Sequence, residues 1–452
     1  MPYFPTTSKF DLITVNSLYP ATAKRRYHQE MPDVQKVVII GAGPAGLLAA
    51  LRINQGNGVL CTVYEIRPEP TTLGGSIGIP SNGLRLLQRL GVYEELLARG
   101  SKSSKTILHS SHGTDLGEID MVSWSEEKTG FGYLRIKRTD LIDVLTDATQ
   151  KRGIPIHYGK RMSAIEENAQ GVTVTFSDGT VDTGDLLLGC DGIHSKVRTM
   201  YVDPQVVPEY TGISTIYSLL PTADLPILAS SVTCINATLT PDGLFALMPC
   251  TASGDSLFWF FSHEVPIPAN GNNRDGWEEE NRKEVERFKS TILDVLKDVQ
   301  GEWGTLLKDI IGHTEAVKFY PIFRLPLGGN WSKGRCLLLG DAAHAMQPHV
   351  GQGVSMAVED VFLISRLLDV PSLSLSDIFD RFDRIRRPRL ERFFKAAARN
   401  SESRKRTGPL AQRLKELAAW TLLGVSRSCN LQKWGGWQGQ RDLVYDIDEA
   451  PI

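Results

Sequence analysis

The chain has 452 residues, 41% of them apolar and 23% charged, with a formal net charge of −2. That length can bury a large core and suits two intertwined domains with appendages, while the near-neutral balance argues against a nucleic-acid partner, which would need a clustered basic face. The six cysteines (Cys61, Cys190, Cys234, Cys250, Cys336, Cys429) show no CxxC spacing and read as reduced thiols of an intracellular, cytoplasmic protein. Residues 1–33 hold Pro2, Pro5, Pro20 and Pro32 without an apolar signal-peptide core, and read as an N-terminal extension. The longest apolar run outside the expected strands, Leu417 to Val425, falls well short of the roughly 18 residues of a membrane span, so a soluble protein is expected.

Val37-Val38-Ile39-Ile40 is a continuous apolar run suited to a strand buried on both faces. Gly41 would start a tight turn, Gly43 would let backbone approach a pyrophosphate, and Gly46 would let the next helix, from Ala45 to about Asn54, pack close. The N-terminus of that helix favours an anion. A second strand, Val59 to Tyr64, ends at Glu65, 19 positions after Gly46, where a carboxylate accepts bonds from ribose hydroxyls. An accidental Gly-rich turn would lack this combination of strand, helix and acid. Glu65 also repels a 2′-phosphate, which disfavours NADP at this site and leaves FAD or NAD.

Two later segments repeat the strand-end pattern. Leu186 to Cys190 runs into Asp191-Gly192, and Gly334 to Leu339 runs into Gly340-Asp341. Ligands of an open parallel sheet collect at the carboxyl ends of strands, so three such ends can border one extended ligand. An NAD dehydrogenase would need neither segment, which favours FAD. Asp341 suits a ribityl hydroxyl. Pro348 to Gly353 makes a Gly-rich loop, with Gly351 and Gly353, opening a helix from Val354 to Leu368 whose dipole would favour negative charge on a reduced flavin.

This set of motifs resembles that of the class A FAD-dependent monooxygenases, the family of para-hydroxybenzoate hydroxylase and salicylate hydroxylase, over about Val37 to Pro388. Gly75 to Gly83 resembles the stretch beside the isoalloxazine, Arg138-Thr139-Asp140-Leu141 the segment whose Arg contacts the cofactor, and Trp331 to Arg335 the lead-in to the Gly-Asp motif. The resemblance implies that Glu65, Gly78, Arg138, Asp341 and Val354 touch FAD. It also implies that Asp191 serves both FAD and NAD(P)H; a plain turn residue is the alternative there. The implied fold is α/β: a Rossmann-like FAD-binding domain with an inserted antiparallel-sheet substrate domain, like that of para-hydroxybenzoate hydroxylase, and C-terminal helices. The expected division is 34–205 with 324–400 for FAD, 206–323 for substrate, and 401–452 as a C-terminal helical segment.

Between about Val206 and Phe323, short β-branched and aromatic segments separated by turns suggest the antiparallel sheet, with one helix between Arg274 and Val299 covering a face. Tyr217, Phe245, Met248, Trp259, Phe261, Phe323 and Arg324 are candidate pocket residues, with ordinary core packing the equal alternative for each. Arg381 to Arg406 carries eleven Lys/Arg against three Asp/Glu. It reads as a solvated helical face kinked near Pro388, or else as a surface that attracts NADPH or a membrane. Leu410 to Leu423 reads as an amphipathic helix that caps the substrate domain or forms a homodimer contact, with Trp434 and Trp437 packed on that domain. His344 and His349 would lie on different faces or in a loop, so no metal site is expected.

The chemistry implied by the resemblance is that NAD(P)H binds transiently, reduces FAD and leaves. Dioxygen then gives a flavin C4a-hydroperoxide that hydroxylates or epoxidises an electron-rich aromatic or alkene, a reaction used in secondary metabolism. Pro348, His349 and Tyr217 are the candidate catalytic residues, His349 as a proton donor or only a loop residue. Some fungal members hold a phenolate with an Arg and a Tyr before a Pro; those slots fall near Tyr217 and Met248-Pro249, where no such pair stands. A flavin-dependent halogenase would carry a Trp-x-Trp-x-Ile-Pro motif, absent here. A non-catalytic binding protein of the same fold would have no reason to keep Gly351-Gln352-Gly353.

Overall fold

Strand Lys36–Ile40 lies inside a parallel sheet because its last four side chains are all apolar and all buried. In the computed structural model, which describes residues 34–70, 75–223, 225, 229, 231–265, 277–279, 282–371, 373–429 and 438–452, it has a parallel neighbour on each side. The sheet runs Ser332–Lys333, Cys336–Leu338, Leu186–Gly189, Lys36–Ile40, Leu60–Tyr64, Ile156–His157, with only the first pair antiparallel. Ile39 pairs with Leu188, and Leu188 with Leu337, so the three motif-bearing strands end at one edge. Helix Pro44–Asn57 packs against both Arg138–Lys151 and Gly353–Leu368, and the core is built from their leucines and valines.

The second sheet has eight strands, ordered Trp277–Glu279, Val317–Arg324, Glu209–Pro221, Ser256–Glu264, Gly243–Pro249, Ile235–Thr240, Lys105–His109, Asp115–Asp120. Its last two strands come from before the inserted segment, and Lys105–His109 joins Ile235–Thr240 in parallel. Where one helix was expected between Arg274 and Val299, the described part is helix Arg282–Val295, followed by a second, Gly301–Gly312. Residues 266–276 lie outside the described set, as do 1–33, Trp434 and Trp437.

Strand alternation corrects the expected pocket. Successive side chains point to opposite faces, so Ile216, Phe245, Trp259 and Phe261 pack with the helices Arg282–Val295 and Gly301–Gly312. The Trp259 Nε1–H donates to Thr314 Oγ1 at 3.1 Å on that side. Tyr217, Met248 and Phe258 form a separate cluster on the other face. Phe245, Trp259 and Phe261 are therefore core, and cannot share one pocket with Tyr217.

The basic run is also corrected. Helix Leu375–Ser401, opened by a Ser374–Asp377 capping box, continues through Pro388 and buries Arg386 and Arg389 at 0% and 2% exposure. It is more than a solvated face. Helix Pro409–Ser428 packs on strand Asp115–Asp120, but it does so with Gln412, Leu423 and Ser426 and leaves its other leucines exposed. All six cysteines are free, five buried and Cys429 exposed.

Candidate active site

Glycine contacts join the three motifs. Gly41 has φ 105°, and a Cβ there would sit 2.5 Å from the Cys190 carbonyl oxygen and 2.9 Å from the Asp191 Cα. A Cβ on Gly340 would lie 3.1 Å from the Ala45 Cβ and 3.3 Å from that of Ala357. Within the first motif, a Cβ on Gly46 would overlap the Gly41 carbonyl oxygen. Motif one thus touches motif two through Gly41 and motif three through Ala45. At Gly43, Gly192 and Gly353, by contrast, nothing lies within 4 Å of the Cβ position, so their backbones face open space.

The carboxylates next to these turns have defined partners. Glu65 is buried; its Oε2 accepts the Ala42 N–H at 2.8 Å and its Oε1 the Arg67 N–H at 3.0 Å. It ties down the glycine turn while each oxygen keeps a lone pair for a ribose hydroxyl. Asp191 Oδ2 accepts the Lys196 and Val197 N–H groups at 2.6 and 3.2 Å, and Oδ1 is buried without a partner. Burial pushes the Asp191 pKa up, against the hydrogen bonds that favour its charge. Asp341 opens the short helix Asp341–His344 and is exposed.

Beneath these groups lies a buried polar network that the sequence reading missed. Asp360 Oδ2 accepts the Gly340 N–H at 2.9 Å and lies 2.6 Å from His344 Nε2, while Oδ1 accepts Arg386 Nε–H at 2.8 Å. Glu359 accepts two bonds from Arg389 at 2.7 Å, one from Arg386 at 2.5 Å and one from Asn82 Nδ2 at 2.8 Å. Asn82 also reaches Gln352 Oε1 at 3.1 Å, joining the stretch after Gly78 to the Gly351–Gly353 loop. Burial alone would raise both acids' pKa values. Arg389 and Arg386 around Glu359, with His344 and Arg386 around Asp360, outweigh it and hold both below the usual range. The available signal was Glu359-Asp360 in the middle of a mostly apolar helix, since buried acids need buried cations.

On the other side stands the strand Ser76–Pro80. A Cβ on Gly78 would collide with the Tyr133 phenol oxygen, and that same oxygen is 3.7 Å from the Gly351 Cβ position. Arg135 donates to Tyr133 Oη at 2.6 Å and to Ser76 Oγ at 3.1 Å. Arg138 starts its helix with its backbone N–H on the Gly75 carbonyl at 2.9 Å, and its Nε is buried without a partner. The Tyr217 ring comes within 3.1 Å of the Gly75 Cβ position, beside Phe258, so it borders this strand. Val354 is buried in the first turn of helix Gly353–Leu368, and the Pro348 carbonyl accepts the Gly351 N–H at 3.2 Å within a short 3-10 turn.

His349 follows in that turn; its carbonyl accepts Asn400 Nδ2–H at 3.1 Å and its Nε2 is buried without a partner. Burial, with the Arg404 cation nearby, pushes its pKa down to about 2. The ring is neutral at ordinary pH and can transfer only the proton of a neutral imidazole. The unfolded chain would protonate it near pH 6.5. The folded state binds that proton far less readily, so the stability tied to the neutral ring is present above the unfolded pKa and lost as pH falls below it. His349→Gln is therefore expected to flatten the decline in melting temperature between about pH 7 and pH 5. Parallel profiles for the two proteins would mean that the ring titrates freely.

The open backbone at Gly43 and Gly353, the unpaired Asp191 Oδ1 and Arg138 Nε, and the helix N-terminus behind the first turn fit an extended, partly anionic dinucleotide. A family described as "FAD binding domain" matches residues 34–304 and 327–397. Among curated proteins the chain is 28% identical to 6-hydroxynicotinate 3-monooxygenase of Pseudomonas fluorescens, over 75% of this chain and 83% of that one. It is likewise 28% identical to FAD-dependent urate hydroxylase of Klebsiella pneumoniae, over 78% and 87%. Its fold is similar to that of a Klebsiella pneumoniae protein solved with FAD and uric acid, with TM-score 0.74, 22% identity and coverage of 90% and 97%. With its motifs in contact and the family matched over most of its length, the chain belongs to the FAD-binding family of the class A flavoprotein monooxygenases.

Proposed function

We propose that the protein uses NAD(P)H and O2 to hydroxylate or epoxidise an electron-rich small molecule, with an aromatic ring as the first choice. The observation that carries the reading is the contact of three distant motifs, Gly41 with Cys190 and Asp191 and Gly340 with Ala45, each motif also holding a glycine or loop whose backbone is unobstructed at Gly43, Gly192 or Gly353. Relatives named for 6-hydroxynicotinate, 3-amino-4-hydroxybenzoate and urate support a small electron-rich ring. The bound flavin would accept the hydride and activate oxygen.

The residues of this chain would hold and shield it. In this reading Glu65 takes the adenosine ribose, Asp341 a ribityl hydroxyl, Asp191 a hydrogen-bond donor of FAD or NAD(P)H, and Arg138 the polar edge. The start of helix Gly353–Leu368 would favour negative charge on the ring. Tyr217, Met248 and Phe258 would exclude water on the substrate side. Residues 34–205 and 324–400 would form the cofactor part and 206–323 the substrate part, with strands Lys105–His109 and Asp115–Asp120 added to the latter's sheet. The free thiols suit an intracellular setting.

The test is direct. The purified protein should be yellow, and an electron-rich aromatic should stimulate NAD(P)H oxidation coupled to O2 uptake, with a product heavier by one oxygen. A colourless preparation that FAD cannot restore would favour a binding protein. Oxygen-dependent products gaining chlorine or bromine would favour a halogenase.

A further inference from the structure

Helix Pro409–Ser428 is docked by its polar side. Gln412, Leu423 and Ser426 are buried toward strand Asp115–Asp120. Glu416, the only acid on the helix, turns inward, its Oε1 accepting the Ser111 N–H at 2.8 Å and Gln412 Nε2–H at 2.6 Å. The opposite side exposes Leu410 (73%), Leu414 (59%), Leu417 (58%), Trp420 (58%), Leu422 (54%) and Val425 (49%). At 3.6 residues per turn, all of these except Leu422 fall within an arc of about 140°. The ionised groups exposed on the helix are Arg413 and Arg427, with Arg406 exposed just before it.

From this arrangement we infer that the helix lies in the surface of an anionic phospholipid membrane. Its leucines and Trp420 would enter the acyl boundary, with Arg413 and Arg427 at the lipid phosphates. An apolar arc with Arg413 inside it, Arg427 at its edge and no exposed carboxylate on the helix is complementary to such a surface in both hydrophobicity and charge, the long arginine side chains reaching outward from among the leucines. A tryptophan ring, with an apolar body and one N–H, suits the headgroup boundary. The helix would lie on the membrane; no described helix is long and apolar enough to cross one.

A second copy of the chain fits less well. Twofold pairing along this strip would bring both copies' Arg413 and Arg427 together with no exposed acid on the helix to offset them. A strip of six side chains is also on the order of the ~300–600 Å² patches that monomers carry, short of the ~800 Å² per partner of a stable interface.

The experiment uses the full-length, FAD-loaded protein and co-sedimentation with vesicles of phosphatidylcholine, with and without about 30 mol % phosphatidylserine, at about 0.15 M salt. The protein is expected to sediment with the anionic vesicles. The double variant Leu414→Glu/Leu417→Glu should lose this binding by about tenfold or more, at unchanged flavin absorbance and melting temperature. Arg413→Glu/Arg427→Glu should lose the preference for phosphatidylserine. Three outcomes overturn the inference: no sedimentation with either vesicle, equal binding by the Leu414→Glu/Leu417→Glu variant, or a dimer in the ultracentrifuge that Leu417→Glu converts to monomer without any vesicle binding by the parent.

Discussion

Arg386→Leu is expected to lower folding stability by about 3–5 kcal/mol and to yield protein with little bound FAD. Arg386 is fully buried between Glu359 and Asp360, bonding each at 2.5 and 2.8 Å. Removing the cation leaves two carboxylates in the interior, one with Arg389 and the other with only His344 beside it. Breaking a buried pair is far costlier than never having built one. The loss reaches the cofactor because Asp360 also holds the Gly340 N–H at 2.9 Å, and Gly340 carries the backbone into Asp341. Arg392→Leu is the control. Arg392 pairs with Asp442 at 3.5 Å with half its side chain exposed, so its loss should cost under about 1 kcal/mol. Denaturation midpoints should be taken on apo and FAD-loaded samples, because bound ligand itself raises apparent stability. Equal shifts for Arg386→Leu and Arg392→Leu in the apo protein would contradict the role assigned to the network.

What could be read from the sequence was what local chain geometry determines. A four-residue apolar run, a turn with glycines at fixed offsets and an acid at the end of the next strand constrain one another. Lys36–Ile40, the Gly41–Gly46 turn and the position of Glu65 therefore follow from spacing alone. What could not be read depended on partners far along the chain. Alternation divides Phe245, Trp259 and Phe261 from Ala246, Met248 and Phe258, but it does not say which face meets the helices and which meets Gly75 and the strand after it. The pairing of Lys105–His109 with Ile235–Thr240 leaves no local mark, since both strands look complete by themselves. In the basic run, eleven cations look alike until the fold turns Arg386 and Arg389 toward the two acids of helix Gly353–Leu368. Helix Pro409–Ser428 misleads in the opposite sense. Its leucine spacing suggests a buried face of several leucines, yet the protein binds it through Gln412, Glu416 and Ser426 with Leu423 as the one buried leucine.

Gly43→Val and Gly46→Val should fail in different ways. Gly46 packs against the first turn so closely that any Cβ overlaps the Gly41 carbonyl oxygen, a backbone atom that cannot swing aside. Its replacement by valine should prevent helix Pro44–Asn57 from seating on the sheet, giving insoluble protein or a loss of several kcal/mol, as overpacking does in a tight core. Gly43 is extended, at φ −74° and ψ −179°, and no atom lies within 4 Å of its Cβ position. Any residue can adopt that backbone, so the apo protein should fold with a melting temperature close to that of the parent. If a pyrophosphate lies against Gly43, however, the valine side chain would occupy that volume and hold the phosphates away from the helix N-terminus. FAD affinity should then fall by at least about a hundredfold, equivalent to roughly 2.7 kcal/mol. Titration of flavin fluorescence into the apo variants measures this. Parent-like affinity in a folded Gly43→Val protein would remove the pyrophosphate from this turn, and with it the placement of the whole cofactor.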